Sequence, residues 1–189
     1  MPGCVCCASD HHVPVFIPTN SERAMTDQAL QTAKALVQLI PPSVAPDFLE
    51  EYGLTLTSQQ AQAVTKELLA LSLYWMTCAV RVSIPEPACS QLHESIREQV
   101  REKWGSRFGL VHVPIDQFYA EMERKHRTWE DITQQGGEPI AVLSTAAEAL
   151  EDDNVTAAHD RQNVLAVLLD LVPIDEIGEL VAELEETLR

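Results

Sequence analysis

Three features of the sequence predict an all-α fold, an irregular bundle of about seven or eight helices. Apolar residues recur at three- and four-residue steps through most of the chain. Prolines and glycines fall mostly between these runs, where they stop helices. One stretch, residues 57–82 (TSQQAQAVTKELLALSLYWMTCAVRV), is long and apolar enough to form a central helix. The 189 residues suffice for one domain that buries about 70% of its unfolded surface. The expected organisation is an irregular arm over 1–24 and a single helical domain over 25–189.

The central stretch carries its own start and stop signals. Thr57 or Ser58 caps it, and Gln60, three residues after Thr57, completes a capping box in which each side chain satisfies an otherwise orphan backbone N–H. From Leu68 to Val80 no charged residue occurs, and Ser72 and Thr77 can bond back to the preceding turn. A membrane span requires about 20 apolar residues. This run is closed by Glu67 and Arg81, so a buried core helix containing Leu71 and Trp75 is the expectation. Pro85 and Pro87 end it, because proline lacks a backbone donor and keeps its predecessor out of the helical region.

The other elements follow in order. Residues 1–23 hold Pro2, Pro14 and Pro18 and no helical period, although Val13, Val15, Phe16 and Ile17 form an apolar run suited to docking. Thr26 or Asp27 opens the first helix, with Leu30, Ala33, Leu36, Val37 and Ile40 inward, before Pro41 and Pro42 stop it. Pro46 starts a short helix ended by Gly53. Residues 86–104 read as a surface helix with Leu92, Ile96, Val100 and Trp104 at steps of four. Residues 107–113 are the one place for a short extended piece, since Val111 and Val113 alternate with His112. Pro114 or Asp116 begins a helix facing inward with Phe118, Tyr119, Met122, His126 and Trp129, and Pro139 begins the next. Asn154 is expected to cap a helix over 155–171, second in burial, with Leu165 and Leu169 in its apolar run. The last helix sets Ile174, Ile177, Val181, Leu184 and Leu188 against Asp175, Glu176, Glu179, Glu183, Glu185 and Glu186.

Charge narrows the function. The net charge of −16 is concentrated in residues 138–189, which hold thirteen acidic residues against two basic ones. Nucleic-acid binding is disfavoured, because phosphate neutralisation needs clustered Lys and Arg. A partner with a basic surface is electrostatically compatible with this charge, although an acidic surface also serves solubility and by itself identifies no partner. Five cysteines, an odd number with three crowded at Cys4, Cys6 and Cys7, do not make a disulfide framework. The first residues show neither a basic leader nor a long apolar run, so residence in the cytoplasm without membrane association is expected.

Chemistry-bearing residues are few. Cys4, Cys6, Cys7, His11 and His12 are five ligands suited to zinc or copper(I), but they lack C-x-x-C spacing and a second ligand pair. They support an alternative, metal-binding or redox-responsive protein or an enzyme. Glu123 and His126 form a single Glu-x-x-His, whereas a di-iron bundle needs two plus further carboxylates. His93 and Glu94 lack the second His of a zinc-protease helix, and Ser106 in Gly-Ser-Arg-Phe-Gly is not a nucleophile elbow. Arg97, Arg101, Lys103, Arg107, Arg124, Lys125 and Arg127 form the main basic concentration, read either as an anion site or as partners of glutamates such as Glu94 and Glu98. The sequence therefore favours an acidic helical module for protein–protein interaction or regulation, without catalysis or cofactor. Its expected interaction surface is Glu179, Glu183 and Glu186 on the last helix, facing a basic partner surface or a second copy of the chain.

Overall fold

A computed structural model of the chain describes the backbone of residues 20–188 and the side chains of 27–186. The described residues form eight α-helices and one short 3-10 turn, with no strand. The helices are α1 (Asn20–Leu39), α2 (Pro46–Glu50), α3 (Ser58–Ser83), α4 (Ala88–Lys103), α5 (Ile115–Gln134), α6 (Pro139–Asp152), α7 (Arg161–Leu171) and α8 (Ile174–Leu188). The fold is an all-α bundle.

The capping box at the head of α3 is formed: Gln60 N–H donates to Thr57 Oγ1 at 3.3 Å, and Thr57 N–H donates to Gln60 Oε1 at 2.9 Å. Beyond it, α3 is buried on nearly every side from Leu68 to Tyr74. Ser72 and Thr77 turn inward on their own helix, Ser72 Oγ donating to Leu68 O and Thr77 Oγ1 to Leu73 O, both at 2.8 Å. A hydroxyl can sit in an apolar core when a neighbouring carbonyl accepts its proton. Among the described helices α3 alone is long and apolar enough to cross a membrane, and 67% of that stretch is buried within the bundle. Against it pack α2, α4, α6 and α8; α1 lies on α4 and α8, and α6 joins α3 to α5 and α7.

Several boundaries differ from expectation. α1 begins at Asn20, ahead of the Thr26 or Asp27 start; the rest of the expected arm, 1–19, lies outside the described residues. Trp75 is only partly buried, unlike Leu71 at 0% exposure, because the cover on α3 thins beyond Tyr74, where Thr77, Cys78 and Ala79 are also only partly buried. Residues 107–113 form turns. Gly109 takes a left-handed φ of 65°, and Leu110 N–H bonds Trp104 O at 3.1 Å, so the backbone groups are used locally and no strand is needed.

The largest revision concerns Asn154. It is not a helix N-cap: its φ of 56° is left-handed, and it closes α6. Asn154 N–H bonds Glu151 O at 2.8 Å and Val155 N–H bonds Leu150 O at 2.9 Å, the paired bonds of a Schellman ending with Asn in the left-handed position. Gly136 closes α5 in the same way, at φ 80°. The following helix is consequently shorter than expected, starting only at Arg161, and it buries Val164, Val167 and Leu168 while Leu169 is 48% exposed. A helix with one covered side buries one stripe, however apolar its other positions are.

Candidate binding surfaces

Two surfaces hold most of the unusual charge. The first is a cleft of about 470 Å³ between α3, α5 and the end of α6. Helical spacing builds its walls. Ala63, Lys66 and Glu67 lie at steps of three and four on α3, and Glu121, Arg124, Lys125 and Thr128 do so on α5. The third side is Leu150, Asp153 and Val155. It is held by the Schellman ending at Asn154 and by Gln60 Nε2, which donates to Val155 O at 2.8 Å.

Across this cleft α3 and α5 are bridged by long side chains. Lys66 Nζ meets Glu121 Oε2 at 2.9 Å, and Lys125 Nζ donates to Glu67 Oε2. Glu67 is 2% exposed, and its Oε1 has no hydrogen-bond partner. Burial pushes its carboxyl above the usual range, against the opposing pull of Lys125 and Lys66. At Glu121 burial also pushes upward, but hydrogen bonds from Lys66 and Gln117 and the charges of Lys66 and Lys125 outweigh it and hold the group low. Arg124 and Asp153, both exposed at the rim, form no side-chain hydrogen bond or ion pair among the described residues.

Beside the cleft, α5 and α3 are also joined by aromatic rings. Tyr74 stacks edge-on with Trp129 at 5.4 Å and with His126 at 5.2 Å, and its hydroxyl pairs with Thr133 Oγ1 at 3.0 Å. Burial pushes the Tyr74 phenol up to about 12 and the His126 imidazole down to about 4. His126 Nε2 faces Ala70 O at 3.3 Å, while Glu123 lies in solvent beside Arg127 at 3.6 Å. The structure therefore does not bring Glu123 and His126 together as ligands.

The second surface is the outer face of α8. Ile177 and Val181 are each 1% exposed and Leu184 is 8% exposed, in packing against α3 and α1. Asp175, Glu176, Glu179, Glu183 and Glu186 are exposed on the opposite side. The last turn contains no basic residue.

The basic residues of α4 and the following turn are divided among separate tasks. Arg97 lies over the Tyr119 ring at 5.4 Å, and Lys103 Nζ pairs with its neighbour Glu102 at 2.8 Å. Arg107 Nη2 donates to Gln38 O at 2.9 Å and Ile40 O at 2.6 Å, satisfying carbonyls at the end of α1. Glu94 and Glu98 form no ion pair with Arg97 or Arg101 among the described residues.

A thiol and an imidazole meet within α4, Cys89 Sγ lying 3.9 Å from His93 Nδ1. Burial raises the thiol and lowers the imidazole, so both are neutral near pH 7 and no thiolate is prepared. Neither residue lines the small cavity between Ala29, Ile84, Leu92 and Leu184, which is only about 20 Å³, room for one water. Cys4, Cys6, Cys7, His11 and His12 lie outside the described residues. Among the described residues no group of three or more His, Cys, Asp or Glu is placed to hold a metal ion.

No local sequence pattern points to the cleft. Arg124 and Lys125 stood out only as part of a basic run, and Glu67 only as the boundary of an apolar one. The available signal was the adjacent pair Lys66 and Glu67 at the edge of the long apolar run of α3, since charges there need partners from another element. No protein-family model, curated protein or solved structure matches the chain.

Proposed function

We propose that the protein is an interaction module without catalysis of its own, and that it docks a basic partner surface on the outer face of α8. The observation that carries this reading is the division of α8 into two faces. Its buried residues Ile177, Val181 and Leu184 pack against α3 and α1, while Asp175, Glu176, Glu179, Glu183 and Glu186 are exposed and share one sign of charge. Because that stripe is already buried, a coiled coil with a second copy through it is disfavoured; the remaining contact is electrostatic. Such complementarity sets association rate and partner choice more than raw affinity.

The test is the triple reversal Glu179→Lys, Glu183→Lys and Glu186→Lys. The full chain is used to capture partners from its native cell, and association is then measured at rising ionic strength. The reading predicts association that weakens with salt and is lost in the variant while the helical circular dichroism is retained. Association that is equal in parent and variant, or indifferent to salt, refutes it.

A further inference from the structure

We propose that the cleft between α3, α5 and the end of α6 binds a small zwitterion of the amino-acid class, a molecule carrying an ammonium and a carboxylate. This goes beyond the docking reading of α8 and stands or falls separately. Six charged side chains line the cleft: the cations Lys66, Arg124 and Lys125 and the carboxylates Glu67, Glu121 and Asp153. Two pairs are already made inside it, Lys66 with Glu121 and Lys125 with Glu67. What is left over is one cation, Arg124, and one anion, Asp153, on opposite walls, since Arg124 stands on α5 and Asp153 follows α6.

That remainder selects among ligands. A simple anion such as phosphate would satisfy Arg124 but face Asp153, and a simple cation would satisfy Asp153 but face Arg124. A ligand with both charges meets both, its carboxylate against the forked guanidinium and its ammonium against the carboxylate. The Thr128 hydroxyl lies one turn beyond Arg124 on the same wall and adds a donor or acceptor. Ala63, Leu150 and Val155 supply an apolar patch for a ligand side chain. The volume of about 470 Å³ lies within the ordinary range for small-ligand sites, roughly 300–1,000 Å³.

Glu67, on the α3 wall, supplies the independent sign of a built site. Glu67 is 2% exposed, yet its Oε1 is unpartnered, whereas buried polar atoms in folded proteins nearly always have a partner. A bundle designed only for stability would place an apolar side chain there, because a buried ion pair contributes little net stability. Instead the Glu67 and Lys125 pair, with Lys66 and Glu121, fixes the charged walls in place before a ligand arrives, which reduces the ordering cost of binding.

The experiment uses the full chain, with isothermal titration calorimetry and thermal denaturation against the free L-amino acids and the dipeptide Gly-Leu. The same compounds with an acetylated amino group or an amidated carboxyl, and inorganic phosphate, are the comparison. The proposal expects at least one zwitterion to bind and to raise the melting temperature, with each blocked derivative weaker by about tenfold or more. Arg124→Gln and Asp153→Asn, both at exposed positions and expected to fold as the parent does by circular dichroism, should each weaken the zwitterion by a similar factor. Lack of binding by the whole panel overturns the proposal. So does phosphate or an acetylated compound binding as well as the zwitterion, and so does binding that survives both substitutions.

Discussion

The cleft and the outer face of α8 are both charged helix surfaces, and they handle charge in opposite ways. In the cleft, positive and negative side chains alternate across a gap, two pairs close between α3 and α5, and one carboxyl is carried almost wholly out of water. On α8 the charge has one sign, lies in solvent, and sits over a stripe that already belongs to the core. The difference teaches where charge is coupled to folding. Mutating a paired, half-buried charge disturbs the packing of two helices, whereas reversing an exposed acid mostly changes the field that a partner meets.

Substitutions at the core and at the two surfaces should differ in effect by an order of magnitude. The largest sets the scale for both surfaces: Leu71→Ala, at 0% exposure in α3, should cost on the order of 2 to 5 kcal/mol in denaturant unfolding. Trp75→Ala should cost less than that, given its partial exposure. A midpoint unchanged by Leu71→Ala would remove α3 from the centre of the fold.

Acid titration should come next. His126 is held down to about 4 from its ordinary 6.5, so the folded state favours the neutral ring. That contribution is fully present above pH 6.5 and is lost as pH falls toward 4, about 3 kcal/mol in all. His126→Gln should flatten the stability profile across this window, and a parent-like slope in the variant would refute the assignment.

Lys125→Met removes the cation that faces buried Glu67 and should cost about 2 kcal/mol. The sign of its pH dependence is fixed by the raised carboxyl. A raised group contributes stability below its unfolded value and loses it as pH rises through the folded one, so the variant's deficit should grow with pH. Adding Glu67→Gln to Lys125→Met should remove that growth. A deficit that is flat with pH would show that Glu67 does not titrate in the pair.

The smallest effect on folding is expected at α8, where reversing Glu179, Glu183 and Glu186 to Lys should change stability by no more than about 0.5 kcal/mol per site while abolishing association. Loss of the fold in that variant would mean that the acids are paired within the chain, and the contrast between the two surfaces would disappear.

Most of the helical architecture was legible in the sequence because the relevant signals are local. Thr57 and Gln60 mark a helix start within four residues, and the run from Leu68 to Val80 is apolar wherever it is placed. What was not legible depended on distant or conformational information. Asn154 has the composition of an N-cap, and only its left-handed φ reveals that it ends α6 instead. Leu169 is apolar but exposed, because the side of α7 that the bundle covers is set by packing and not by α7 itself. The cleft needed three elements at once: Lys66 and Glu121 are 55 residues apart, and Glu67 and Lys125 are 58 apart. No local period announces such a pairing.

The guanidinium of Arg107 bears on how the bundle opens as well as how it closes. It holds the Gln38 and Ile40 carbonyls, while Arg107 O accepts from Ser43 N–H at 2.9 Å. One residue beyond α4 thus ties down the exit of α1 in both directions. Val44 N–H, bonded to Thr65 Oγ1 at 3.1 Å, and Gly109 O, bonded by Gln62 Nε2 at 2.7 Å, extend the clasp to α3. Solvent exchange at the Ser43 amide therefore requires residues 40–45 to part from the turn after α4, and exchange at the Val44 amide requires them to part from α3. Both amides should be protected well above those of ordinary surface turns.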